Sequence, residues 1–205
     1  MLKKLSSIQL YPIAKRVFDI FFSVLFLFLF SWLLVLAWII AIVDTKTNGI
    51  FIQYRVGQYG KLFRIYKLRA IQVASKSKRI QISSLGRLLR KYKLDELPQL
   101  INILKGEMSF VGPRPDLEGY YDLLEGENRK VLQLKPGLTS IASLKYYNEE
   151  SLLALQSNPL QYNDEVLFPD KVRLNLDYYY NKSFWRDLKI IFYTCWFFLG
   201  KKKEL

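Results

Sequence analysis

Two stretches of the chain are strongly apolar. The first, residues 20–43, reads IFFSVLFLFLFSWLLVLAWIIAIV and has 24 consecutive residues without a charge, which is the length expected of a membrane-crossing helix. In the second, between Ser183 and Gly200, apolar residues recur at helical spacing. They are Phe184, Trp185, Leu188, Ile191, Phe192, Cys195, Trp196 and Leu199. The pattern predicts one long apolar helix and one amphipathic helix, the latter with Ser183 as its N-cap and Gly200 as its stop.

The charges beside the first apolar stretch bear on how it meets a membrane. Basic residues occur on both sides of it: Lys3, Lys4, Lys15 and Arg16 before, and Lys46, Arg55, Lys61, Arg64, Lys67 and Arg69 after. Because positive flanks favour the cytoplasmic side, both ends are expected on the same side. A re-entrant hairpin satisfies this, with a break at Ser31, whose hydroxyl can pair with a freed backbone carbonyl. A single spanning anchor is the alternative, since Trp32 and not proline follows Ser31.

The amphipathic helix also has two interpretations. Its uncharged run, residues 190–200, is too short to span a bilayer. Its aromatic residues and the three lysines at 201–203 favour a helix lying in the plane of the lipid headgroups. A terminal helix packed against a protein core is the alternative.

Between these segments the pattern changes to short elements. In IFIQYRVGQYGKLFRIYKLR, two β-rich runs surround Gly57–Gly60 and predict a hairpin. A basic helix is predicted to begin at Ser84. A second helix, ELPQLINILKG, is predicted to begin at or near Asp95, because Pro98 is tolerated only in a first turn, and to end at Gly106. The predicted apolar stripe of this helix comprises Leu97, Leu100, Ile101 and Leu104.

The overall organisation follows from these elements. Residues 148–180 are mixed and mostly helical, and 205 residues are enough for one domain with an accessory segment. We predict a mixed α/β fold that is mainly helical, with a membrane segment at 1–43 and a domain of catalytic size at 44–205.

Composition then limits the chemistry. The chain has one cysteine, Cys195, and no histidine, so an intramolecular disulfide, a Ser-His-Asp triad and a histidine-ligated zinc site are excluded. Catalysis must use carboxylates, cationic or hydroxyl side chains, the thiol, or a metal held by oxygen ligands. The formal charge of +13 calls for a polyanionic partner, such as nucleic acid, an anionic bilayer surface or a phosphate-rich substrate.

The adjacent carboxylates Asp95 and Glu96 are the main candidates for catalysis. At a helix N-terminus they are explained simply as caps, since each carboxylate there gains about 0.3–1 kcal/mol from the macrodipole. The same position is expected to lower the pKa of Asp95 and to keep it ionised, as a carboxylate nucleophile requires. The two interpretations are compatible.

Two arginines favour the catalytic interpretation. Arg90 precedes the acidic pair by about one helical turn, and Arg114 lies between Pro113 and Pro115, whose fixed φ angles orient it. A guanidinium matches phosphate oxygens bidentately, and Mg²⁺ prefers carboxylate and phosphate oxygen. The pattern is typical of a phosphoryl-transfer site. A structural ion pair with one of the acids is the alternative for Arg114.

The sequence resembles the monotopic phosphoglycosyl transferases, a family of bacterial sugar transferases. The resemblance runs from KRVFD at 15–19 through GIFIQYRVGQYGKLFRIYKLR, LGRLLRKYKLDELPQLINILKGEMSFVGPRP and LKPGLTSIAS to the final helix. It implies a compact mixed α/β domain on the cytoplasmic face of the bacterial inner membrane, held there by a re-entrant helix and interfacial amphipathic helices.

The resemblance also implies a reaction. A UDP-sugar and a polyprenol phosphate, such as undecaprenyl phosphate, give a polyprenol-diphosphate-sugar and UMP, with Mg²⁺ as cofactor and Asp95 as its protein ligand. Asp95 would attack the β-phosphorus and carry a covalent phosphosugar, with Glu96 as its partner, either as a base or as a positioning group. The phosphate-binding residues that the resemblance implies are Arg90, Arg114, Lys67 and Arg69.

Two other classes of function would use the same positive charge. One is a non-catalytic membrane adaptor that binds anionic lipid. The other is a membrane-tethered nucleic-acid binder, which is disfavoured because Asp95 and Glu96 would repel a phosphate backbone in the absence of a metal. We therefore expect no nucleic-acid partner, while the sequence leaves open the sugar, the glycan pathway and homo-oligomer formation.

Overall fold

The computed structural model describes the backbone of residues 2–73 and 80–198 and the side chains of residues 10–72 and 81–197. The fold is mainly helical with small sheets, as predicted. The helices are α1 Leu2–Leu29, α2 Ser31–Thr45, α3 Ser84–Lys91, α4 Gln99–Lys105, α5 Ile141–Lys145, α6 Glu149–Ala154, α7 Pro159–Tyr162, α8 Phe168–Asn181 and α9 Phe184–Phe198. The strands are β1 Ile50–Val56, β2 Leu62–Leu68, β3 Gln72–Val73, β4 Ile80–Gln81, β5 Ser109–Val111 and β6 Gly137–Thr139.

Two units make up the chain. The first comprises Met1–Arg16, Val56–Leu62 and Glu107–Leu205, and the second comprises Val17–Arg55 and Phe63–Gly106. Strand β1 pairs with β2 and β3 with β4, while β5 pairs with β6 in parallel. The division into a membrane segment at 1–43 and a catalytic domain at 44–205 stays a prediction.

The long apolar stretch is a bent pair of helices. Helix α1 ends at Leu29 and α2 begins at Ser31, with an angle of 68° between them. The Ser31 hydroxyl donates a hydrogen bond of 2.9 Å to the carbonyl oxygen of Phe28. The break and its chemistry are therefore those predicted, without a proline. Taken one at a time, the helices of the described residues do not reach the length and apolarity of a membrane span, whereas Leu10–Leu29 and Ser31–Thr45 reach them together.

The second unit is built around small residues of α2. Ala37 and Ala41 are buried against Leu68, Ala70 and Leu89, which belong to β2, the segment after it and α3. Small side chains allow the helix to approach these elements closely. This cluster fixes α2 against the hairpin that carries part of the candidate site.

Gly86 lets α3 approach the backbone of the segment after β2 closely. A Cβ at this position would lie 2.3 Å from the carbonyl oxygen of Ala70. We expect Gly86→Ala to lower the free energy of unfolding by on the order of 2–3 kcal/mol, because backbone must move to relieve the overlap. Chemical denaturation in detergent measures this. Lys91→Ala, at an exposed position of the same helix, is the control and should change the free energy by less than about 0.5 kcal/mol.

The predicted short elements are largely confirmed. The hairpin turns through Gln58–Gly60 between β1 and β2. The basic helix begins at Ser84, with Ser83 as its N-cap. The next helix ends at Gly106, whose φ of 82° needs glycine. Its predicted apolar stripe is wrong at one position, since Ile101 is 40% exposed and Ile103 is fully buried instead.

The first unit has a core under its 3-10 turns and helix α8. Val56, Tyr121, Val131, Leu132 and Val172 form this core. Strands β5 and β6 pair with Ser109 opposite Gly137 and Val111 opposite Thr139. The parallel pair thus brings the GPRP segment, which follows β5, beside the KPG segment, which precedes β6.

Helix α9 buries one face and exposes the other. Asp187 and Ile190 are 4% exposed, and the Asp187 carboxylate pairs with Lys15 at 2.6 Å. Trp185 and Phe192 are 79% and 59% exposed. The helix is therefore packed on a core and also presents an aromatic face. Ser183 caps it, as predicted, by accepting from the backbone N–H of Arg186, and the predicted stop at Gly200 lies outside the described residues.

Candidate active site

The acidic pair lies in a single turn of 3-10 helix that leads into α4. This turn is Leu94–Glu96, and it is preceded by Lys93 with a left-handed φ of 55°. Neither Lys93 nor Pro98, the residues at the two N-cap positions, makes a side-chain capping bond. The prediction that the pair lies at a helix N-terminus is confirmed, since both residues fall in the first turn of the helical run. The prediction that they cap the helix is wrong, because both lie inside the run and not before it.

Glu96 is held by a cation from the hairpin. Its Oε1 lies 3.3 Å from the Nζ of Lys67 in β2, and the two side chains are 9% and 20% exposed. A carboxylate so deeply buried needs a positive partner to remain charged. The structure thus brings together two of the predicted site residues, Lys67 and Glu96.

Asp95 differs from its neighbour. Its Oδ1 is buried and makes no hydrogen bond within the described part of the chain. Burial raises the pKa of Asp95 above its ordinary value, and the charge of Glu96 raises it further. The cations Lys67, Lys93 and Arg90 oppose the rise without cancelling it. The predicted lowering of the Asp95 pKa is therefore wrong, since desolvation outweighs the nearby positive charges.

Arg69 extends the site along the strand. One guanidinium nitrogen, Nη2, donates to the carbonyl oxygen of Ile50 at 3.3 Å. Its Nε is buried and has no partner among the described residues. A buried guanidinium N–H that the protein does not satisfy can donate to a substrate oxygen.

The two other arginines differ in how they relate to the acidic pair. Arg90 lies in the last turn of α3 and is close enough to lower the Asp95 pKa by its charge. Arg114 belongs to the first unit, where it is exposed between Pro113 and Pro115. The backbone there is fixed by a 2.8 Å hydrogen bond from the N–H of Gly137 to the carbonyl oxygen of Pro113. The approach of Arg114 to Asp95 stays a prediction.

Three buried polar residues follow one another at every third position, beginning within the acidic pair: Glu96, Gln99 and Asn102. Asn102 is fully buried, donates to the carbonyl oxygen of Arg64 at 2.6 Å and accepts from the N–H of Tyr66 at 3.1 Å. Gln99 is 2% exposed and its Nε2 has no partner within the described residues. Sequence reasoning missed both, although the spacing Glu96, Gln99, Asn102 in an otherwise apolar helix was a usable signal.

The acidic residues fit Mg²⁺ only together with a substrate. Among the described residues, no group of three acidic or thiol side chains could hold a metal ion. The Oδ1 of Asp95, buried and without a partner in the described part of the chain, can supply one oxygen ligand. Mg²⁺ is commonly bound by one or two carboxylates, with substrate phosphates and water as the other ligands. The Asp95 oxygen therefore suits a metal that arrives with a phosphate.

Chemically, the site combines several cations with a carboxylate oxygen that has no hydrogen-bond partner among the residues the structure describes. Desolvation makes such an oxygen more reactive towards an electrophile. The positive charges of Lys67 and Arg90 favour the ionised form of Asp95, and the same cations can offset the charge of a phosphate group. The arrangement suits nucleophilic attack on phosphorus.

Known proteins are similar in sequence to this chain over nearly its full length. An uncharacterised sugar transferase, EpsL, of Bacillus subtilis is 34% identical over 190 residues, covering 89% of this chain and 85% of that protein. A UDP-glucose:undecaprenyl-phosphate glucose-1-phosphate transferase of Caulobacter vibrioides is 33% identical, with 88% of this chain and 67% of that protein covered. An undecaprenyl-phosphate galactose phosphotransferase of Salmonella typhimurium is 32% identical, and the chain spans 39% of its length.

The match to a family model covers an equally large part of the chain. The model of the bacterial sugar transferases matches residues 10–201, which include the bent helix pair, the hairpin, the acidic pair and the GPRP segment. With both kinds of similarity extending over nearly all of the sequence, the chain belongs to the bacterial sugar transferase family.

Proposed function

We propose that the protein is a phosphoglycosyl transferase that moves a sugar 1-phosphate from a UDP-sugar to a polyprenol phosphate and releases UMP. The observation that carries the proposal is the buried Oδ1 of Asp95, which has no partner in the described structure. The family supports the reaction class, because relatives of this chain are sugar-1-phosphate transferases that use undecaprenyl phosphate. The product would be the first lipid-linked intermediate of a bacterial glycan.

The reaction proceeds in two displacements. The Asp95 oxygen forms a bond to the β-phosphorus of the UDP-sugar, the bond from that phosphorus to the bridging oxygen breaks, and UMP leaves with the electron pair. An oxygen of the polyprenol phosphate then attacks the same phosphorus and breaks its bond to Asp95. This restores the carboxylate and yields the polyprenol-diphosphate-sugar.

The other site residues position and neutralise the substrate. The ion pair with Lys67 fixes the Glu96 carboxylate, which we assign a positioning role beside Asp95. Arg69 and Arg90 bind phosphate oxygens as guanidinium groups do. The same role for Arg114, in the first unit, stays a prediction. Mg²⁺, bound through Asp95 and the diphosphate, would supply further neutralisation of negative charge on the leaving UMP.

A membrane location follows from the two substrates. A soluble sugar nucleotide and a lipid phosphate can meet only near the headgroup plane. The bent pair supports a re-entrant insertion, since its apolar side chains are exposed, for example Phe28 at 78% and Trp32 at 65%. The exposed aromatic residues of α9 support an interfacial contact, which we propose to be on the cytoplasmic side.

Cysteine labelling tests the re-entrant topology. In a Cys195→Ser background, which removes the one native and exposed thiol, Lys4→Cys and Lys46→Cys should both react with an impermeant maleimide in inverted membrane vesicles. Both should stay unlabelled in right-side-out vesicles, because a re-entrant segment returns its ends to one face. Cys195→Ser alone is the control. Labelling from opposite faces would establish a spanning helix and reject the hairpin.

Release of UMP tests the reaction. Purified protein with Mg²⁺ and a set of UDP-sugars should release UMP over many turnovers with at least one of the sugars, and only when undecaprenyl phosphate is present in more than enzyme amounts. A single turnover without lipid acceptor would correspond to the covalent step. Absence of UMP with every UDP-sugar would favour a non-catalytic membrane adaptor.

A further inference from the structure

Gln99 is a buried polar residue that the reaction described above does not use. It is the first residue of α4, is 2% exposed, and its Nε2 makes no hydrogen bond within the residues described. Burying an amide donor without a partner is unfavourable, and folded proteins rarely keep such a group unless something outside the chain satisfies it. Gln99 is therefore a candidate for contact with a ligand.

The two neighbours of Gln99 among the three buried polar residues are already satisfied by β2. Glu96, three residues before it, pairs with Lys67 at 3.3 Å. Asn102, three residues after it, donates to the carbonyl oxygen of Arg64 at 2.6 Å. These bonds fix the helical run on both sides of Gln99 and so limit the positions that its side chain can take.

Gln99 also lies one helical turn from Asp95. Leu97 and Pro98, which connect the 3-10 turn to α4, are both in the right-handed helical region, and residues three and four apart in a helix are neighbours on its surface. Within the described structure, Asp95 presents a buried acceptor without a partner, and Gln99 presents a buried donor without one. The two groups do not bond to each other. A ligand that approaches Asp95 therefore comes within reach of Gln99.

We propose that the Gln99 amide donates a hydrogen bond to a non-bridging oxygen of the phosphoryl group that Asp95 attacks. This inference rests on the proposed function. An amide suits the position because it can bind a phosphoryl oxygen without carrying a charge. A lysine or arginine there would pair with the Asp95 carboxylate and reduce its nucleophilicity, whereas a glutamine leaves the carboxylate oxygen available.

The test is the kinetics of UMP release by Gln99→Leu. Leucine has a similar volume and no polar atom to satisfy, so the melting temperature should be unchanged or higher. We expect kcat/KM to fall about tenfold to a hundredfold, the loss typical of one hydrogen bond to a charged group. The loss should be equal for every UDP-sugar that the wild type accepts, because the phosphoryl group is common to all. Gln81→Leu, at an exposed position of the same unit, is the control and should keep wild-type kinetics.

The outcomes separate this inference from the function on which it rests. No UMP release by the wild type rejects both. Release by the wild type with Gln99→Leu within twofold of it rejects the contact alone and assigns the amide to a bound water. A loss that differs more than tenfold between UDP-sugars also rejects it, since that pattern indicates a sugar hydroxyl. A lower melting temperature with a proportional loss of active protein indicates a purely structural role.

Discussion

Asparagine in place of Asp95 should abolish sugar phosphate transfer while leaving the fold intact. The substitution keeps the shape of the side chain and removes the nucleophilic oxygen, so UMP release should fall by about 10³-fold or more. The melting temperature should stay the same or rise, because burial disfavours the charged form of Asp95 and an amide carries no charge. The substitution is therefore expected to lower activity without lowering stability, as at active sites where a group needed for function is unfavourably buried.

The difference in stability between Asp95→Asn and the wild type should depend on pH. The pKa of Asp95 is raised in the folded protein, by burial first and then by the charge of Glu96. Ionisation of Asp95 therefore favours the unfolded chain. The contribution of the protonated side chain to the stability of the folded protein is complete below the ordinary carboxyl pKa and is lost as the pH rises through the raised pKa. In EDTA, unfolding of Asp95→Asn and wild type should differ little in acid, and the difference should grow towards neutral pH.

A matched substitution controls for the general effect of losing a negative charge. Glu118→Gln changes an exposed carboxylate and should alter neither UMP release nor the dependence of the stability on pH. Equal activity of Asp95→Asn and wild type would reject Asp95 as the nucleophile. A melting temperature of Asp95→Asn well below that of the wild type would instead mean that the carboxylate is needed for folding.

These expectations depend on features that local sequence could predict only in part. Ser31, the hairpin at Gly57–Gly60 and the stop at Gly106 were predictable, because each is decided by the chemistry of a few adjacent residues. Pro98 restricted the helical run in the same local way. The acidic pair lies within a 3-10 turn, and not at a cap, because the backbone of Lys93 is in the left-handed conformation. The residues around Lys93 do not predict that conformation.

The remaining errors have a tertiary cause. The sign of the Asp95 pKa shift depends on how much of the carboxylate is removed from water, and only the packed unit determines that. Ile101 and Ile103 are equally apolar, so the sequence could not tell which of them meets the core. Gln99 and Asn102 interrupt the apolar pattern of α4, but neither apolar periodicity nor charge distinguishes them from exposed polar residues.

Methionine in place of Lys67 should destabilise the protein strongly and also abolish activity. The Glu96 side chain is 9% exposed and its Oε1 lies 3.3 Å from the Lys67 amine, so removing the amine leaves a buried carboxylate without this cation. The expected loss in the free energy of unfolding is on the order of 3 kcal/mol. Glu96→Gln alone should be milder, because the Lys67 amine is 20% exposed and can gain water.

The double variant Lys67→Met/Glu96→Gln distinguishes an ion pair from a pair of unrelated contacts. If the charges stabilise each other, the double variant should recover most of the stability lost in Lys67→Met, since the buried charge that lost its lysine partner is then removed as well. It should stay inactive, because both side chains are assigned to the site. Lys145→Met removes one partner of the more exposed pair with Asp170, at 2.7 Å, and should cost at most about 1 kcal/mol. Additive losses in the double variant would reject a stabilising ion pair between Lys67 and Glu96.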